Sequence, residues 1–72
     1  MLQPNEKYIV RKGNRFLVGC PYNNESAVRY SENKFDGYRM SDFNIARRLA
    51  KMIDGRVMKF NVLNGDLEGG WR

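Results

Sequence analysis

The chain has 72 residues, enough for one small domain and too few for a second lobe or a deep enclosed pocket. An apolar fraction of 42% and a charged fraction of 29% exclude a disordered chain, and four Phe, four Tyr and one Trp supply bulk for a core. Thirteen basic against eight acidic residues give a net charge of +5, and residues 1–60 carry twelve cations against six anions, a surplus that draws in polyanions and also serves solubility.

The opening MLQPNE is polar, contains a proline and reads as a frayed lead-in. KYIVRK and RFLVGC are then two β-rich runs joined by Gly13 and Asn14, a hairpin signal in which glycine takes the positive φ of the first turn position. PYNNES is dense in turn formers and breaks the chain after Cys20. AVRYS pairs back onto the hairpin as a third strand or, with Glu25 and Arg29 four apart, makes a short helical turn; residues 25–31 stay open between the two. ENKFDG reads as a polar loop, and YRM as an extended lead into a helix.

The helix is the best-marked element. Ser41 reads as its N-cap, Asp42 complements the positive end of the helix dipole, and Gly55 reads as a left-handed C-cap. Between them Phe43, Ala46, Leu49, Ala50 and Ile53 recur at the spacing of one face, with Ile45 and Met52 at its edge. RVMKFNV follows as a strand covered on one face, and NGDLEGGWR, with three glycines and no period, reads as a flexible tail over 64–72.

The expected fold class is α+β: a small, mainly antiparallel sheet of three to four strands with one helix packed on one face, in the order ββ(β)αβ. It is one domain, folded over about 7–63. The candidate sheet contributions to the core are Tyr8, Val10, Phe16, Val18, Met58, Phe60 and Val62, and a slip of one residue would exchange Tyr8 with Ile9 or Phe16 with Leu17.

Catalysis is the weakest reading of the residues. Without His a hydrolase needs an unusual base, the acids are scattered singly, and a lone Cys20 ending an apolar strand is a small buried hydrophobe before it is a nucleophile. A single Cys excludes an internal disulfide, and with no His a zinc site of the usual kind is excluded, so no metal or other cofactor is expected. LEGGWR lacks the strand-to-helix setting of a phosphate loop. Wholly apolar runs reach only three residues, so neither a signal peptide nor a membrane span is expected, and the lone thiol suits a cytoplasmic protein.

The basic residues have more content. Asn44, Arg47, Arg48 and Lys51 share the helix side opposite the apolar stripe, and Arg11, Lys12 and Arg15 cluster at the hairpin turn. On one side of the molecule the two patches would neutralise several phosphates, with Tyr22, Tyr30 or Tyr38 available for stacking. An exposed helix face has to be polar in any case, so the same charges also suit a merely solvated surface. Trp71, beyond a double glycine, is an anchor type for a protein interface or for self-association; folding back onto the edge of the core is the plain alternative.

With KYIVRKGNRFLVG, AVRYS and IARRLAKMIDGRVMKF laid out, residues 7–60 resemble the small accessory proteins common in phage and prophage genomes, with their opening hairpin, middle A-x-R-Y segment and helix ending in Gly before a last strand. The resemblance implies a compact sheet-plus-helix protein of a mobile element that acts by binding, as inhibitors of host nucleases and other defence systems do. The net +5 departs from inhibitors that mimic DNA with an acidic surface. The expectation is therefore a non-enzymatic binding protein whose partner is nucleic acid or an acidic host protein surface; the alternative is a protein-protein or homo-oligomer module using aromatic contacts, Trp71 among them.

Overall fold

The computed structural model describes residues 2–19 and 28–71. Five strands, β1 (Glu6–Lys12), β2 (Arg15–Val18), β3 (Arg29–Ser31), β4 (Arg56–Asn61) and β5 (Leu67–Trp71), form one antiparallel open sheet in the order β3-β2-β1-β4-β5. One helix, α1 (Phe43–Ile53), packs on β1 and β4, so the fold is α+β as expected. The hairpin turn follows its sequence signal: Gly13 takes φ 61°, with Lys12 paired to Arg15 and Arg11 to Phe16. The open segment resolves as a strand at Arg29–Ser31; its beginning at 25–27 lies outside the described residues, as do Cys20 and Tyr22.

Four expectations are corrected. Residues 64–72 were expected as a tail, yet Leu67–Trp71 forms β5, because Asn61 Oδ1 accepts from Leu63 and Asn64 N–H, and Asn64 Oδ1 from Asp66 N–H, closing a turn that returns the chain onto β4. The sheet therefore has five strands, slightly more than expected. The N-cap is Asp42 rather than Ser41: its carboxylate accepts from Asn44 N–H at 2.8 Å and Ile45 N–H at 3.4 Å, while Ser41 Oγ accepts from Lys7 Nζ at 2.9 Å. The left-handed residue ending the helix is Asp54 (φ 57°, ψ 42°) and not Gly55. Gly55 answers a different need, since a Cβ there would sit 2.7 Å from the carbonyl oxygen of Arg11.

The sheet buries both faces. Val10, Leu17, Met40 and Val57 meet Ala46, Leu49, Ala50 and Ile53 of α1 on one side, and Ile9, Phe16, Met58 and Phe60 form a second cluster on the other. Burying a Leu or Ile side chain contributes about 1.5–3 kcal/mol, so packing rather than intrinsic propensity holds this short helix. The second cluster is covered by the segment after β3: Phe35, in a 3-10 turn at Lys34–Asp36, meets Phe60 edge-on at 5.2 Å, and the backbone of Gly37 lies against Ile9.

The chain then changes sides through the hairpin itself. Beyond Arg11 and Phe16 the β1–β2 ladder opens, and residues 38–40 fill the gap: Tyr38 N–H donates to Leu17 O, and Tyr8 and Met40 exchange two backbone bonds of 2.7 and 2.9 Å. This inserted bridge satisfies the strand groups that the opened ladder leaves, and it delivers α1 to the face opposite Phe35.

Candidate functional site

The outward side of α1 carries Asn44, Arg47, Arg48 and Lys51, all exposed and together lining a shallow depression of about 240 Å³. The 100° step of the helix explains the grouping, because Ala46, Leu49, Ala50 and Ile53 turn the opposite side onto the sheet. The cap carboxylate of Asp42 serves the helix N-terminus, and Lys51 stands in the last turn, favourable to the negative end of the dipole.

The hairpin cations divide between the two faces. Lys12 and Arg15, directly paired, line a second shallow depression with Tyr30 on the side of the sheet that α1 covers. Arg11 alternates to the other face, where its guanidinium lies 5.9 Å from the Phe16 ring centroid and its Nε donates to Gly13 O at 2.7 Å. The helix patch and the Lys12–Arg15 pair thus share one side of the sheet, and Arg11 does not join them. Its neighbour is Arg56, the residue paired with it on β4, which the sequence reading did not single out.

The aromatic candidates also separate. Tyr30 is partly buried against the helix-side cluster, and Tyr38 is exposed at the inserted bridge. Trp71 ends β5, and its ring meets Phe43 edge-on at 5.8 Å; Phe43 in turn meets Tyr8 at 5.3 Å. The tryptophan thus covers the sheet edge while leaving 42% of its surface exposed.

A charge network stands near this aromatic row. Lys59 Nζ bridges Glu68 at 3.0 Å and Glu6 at 3.5 Å. Hydrogen bonding to Glu68, followed by the charge of Glu6, holds the Lys59 ammonium above the ordinary lysine range. The Glu6 carboxyl is held below its ordinary value, first by the backbone N–H of Gln3 at 2.9 Å and then by Lys59. Neither Glu6 nor Glu68 lines the helix depression, although alternation along β1 and β4 sets Glu6, Lys59 and its partner Glu68 on the α1 side of the sheet.

Comparison with family models, curated proteins and solved structures finds no match to this chain. Among the described residues, no helix is long and apolar enough to cross a membrane.

Proposed function

We propose that the protein is a non-enzymatic binding module that engages nucleic acid through the basic face of α1, acting as an accessory protein of a phage or similar element. The reading is supported by one observation above the others: Asn44, Arg47, Arg48 and Lys51 converge on a single depression, on the same side of the sheet as Lys12, Arg15 and Tyr30. Several cations on one depression can neutralise successive phosphates, and Tyr30 beside the Lys12–Arg15 pair offers a partly exposed ring for stacking. The contacts carry no base-reading pattern, so affinity should depend on the backbone more than on sequence.

An acidic protein surface of the host, such as a defence nuclease, would use the same residues and is the other outcome of the test. The module built on Trp71 has less support, because that ring is engaged with Phe43 within the fold.

The deciding experiment is fluorescence anisotropy with labelled single-stranded and duplex oligonucleotides, at low and then physiological salt. The expected result is binding that weakens with salt and is abolished by Arg47→Glu with Arg48→Glu in a variant whose circular dichroism is unchanged. A second pair, Arg48→Glu with Lys51→Glu, guards against a local effect at Arg47. Retained binding in both folded variants sinks the reading; absence of binding even at low salt moves the search to an acidic protein partner captured by the wild type and lost by the same variants.

A further inference from the structure

On the sheet face opposite α1, two arginines stand directly across from each other: Arg11 of β1 pairs in register with Arg56 of β4. Like charges at opposed antiparallel positions repel, and nothing in the fold of a small sheet demands them. Both guanidiniums are anchored to the backbone, Arg11 Nε to Gly13 O at 2.7 Å and Arg56 Nη1 to Gly70 O at 3.3 Å. Each of these bonds uses one of the five N–H donors that a guanidinium carries.

The two side chains line a cleft of about 370 Å³ whose walls include Gly13, Gly55, Gly69 and Gly70, with Met58 and Asp54 completing the lining. A bulge between Val57 and Met58 leaves Gly70 as the extra residue of β5 at φ 120°, and a Cβ there would approach Met58 Sδ at 3.8 Å and Arg56 Cδ at 3.9 Å. Asp54 is the acidic member of the lining, so the lining carries a net single positive charge.

We propose that this cleft is an anion site that takes a phosphate group between Arg11 and Arg56. A phosphate presents several acceptor oxygens to two forked donors, and charge-assisted bonds of this kind are about twice as strong as neutral ones. The site lies on the face away from the α1 patch and does not depend on the reading of that patch.

The test is a two-dimensional 15N NMR titration of the whole protein with inorganic pyrophosphate and, separately, with a short single-stranded oligonucleotide. The expected result is shifts at the amides of Gly55, Gly69 and Gly70 and at Nε of Arg11 and Arg56. Arg56→Gln should weaken binding by about tenfold or more through loss of a charge-assisted pair. Asp54→Asn, which keeps a residue tolerant of the left-handed region, should tighten it. Arg47→Glu with Arg48→Glu should leave the pyrophosphate shifts at the cleft unchanged, which separates this site from the helix patch. Shifts at the cleft with both probes indicate a polynucleotide phosphate, and shifts with pyrophosphate alone indicate a small phosphorylated ligand; either supports the site. Wild-type affinity in a folded Arg56→Gln variant, shifts confined to Asn44, Arg48 and Lys51, or no shift at millimolar pyrophosphate overturns it.

Discussion

The indole of Trp71 lies where a side chain at Gly69 would have to go: a Cβ on Gly69 would stand 2.2 Å from Cζ3 and 2.3 Å from Cη2 of the ring. Gly69 also holds φ 93°, a conformation closed to most side chains. Gly69 is thus what lets the ring fold back toward Phe43, and the double glycine is part of β5 rather than a tether.

Gly69→Ala should therefore displace the ring and cost about 1–3 kcal/mol, the range of overpacking and backbone strain. Trp71→Ala should cost about 1–2 kcal/mol, mostly the edge-on contact with Phe43 and partial burial. Trp71 is the single tryptophan, so urea denaturation followed by its fluorescence reads the first variant directly, and circular dichroism reads the second.

The cap assignment separates two adjacent residues. Asp42→Ala should lower stability by about 1 kcal/mol, because it orphans the Asn44 and Ile45 N–H groups, whereas Ser41→Ala should stay within about 0.5 kcal/mol. Thermal unfolding of the two variants under the same conditions checks the order, and the reverse order would return the cap to Ser41.

Gly55→Ala tests the approach of the α1–β4 connection to β1. The added methyl meets backbone, the Arg11 carbonyl at 2.7 Å, as well as Val10 Cγ1 at 3.1 Å, and neither a rotamer change nor a flexible side chain relieves the first contact. A loss of about 1–3 kcal/mol in chemical denaturation is expected. Asp54→Gly, at the residue that is left-handed, should be tolerated better.

Stability should fall in acid in part through Glu6. Its carboxyl is held below the ordinary value in the folded state, so around the usual carboxylate range the unfolded chain binds more protons than the folded one. The stabilisation is present above the unfolded-state value and is lost as pH falls through the depressed folded one. Glu6→Gln should flatten that acid limb of a stability-against-pH curve. Lys59 has the opposite sign: its raised value gives a contribution that is full below the ordinary lysine range and lost as pH rises through the folded value, and Lys59→Met should flatten the alkaline limb.

Much of the fold was legible in the residues themselves. The hairpin followed from β-rich runs around Gly13-Asn14, and the helix from the spacing of Ala46, Leu49, Ala50 and Ile53, because turn chemistry and periodicity are local properties. The doubt between Tyr8 and Ile9, or Phe16 and Leu17, had a physical answer that the pattern contained: adjacent apolar residues on a strand point to opposite faces, and here both faces are buried.

The grouping of Asn44, Arg47, Arg48 and Lys51 was likewise set by helical geometry alone. By itself the sequence determined the opening hairpin, the strand after the helix, the helix stripe and the basic face of α1, since each depends on residues within a few positions of one another. The tertiary structure decided the rest: β5 where glycines suggested a tail, the passage of residues 38–40 between β1 and β2, and the separation of Arg11 from Lys12 and Arg15. It also set Arg11 beside Arg56, 45 positions away along the chain. Such pairings follow from register and from long-range hydrogen bonding, and neither leaves a mark in the spacing of neighbouring residues.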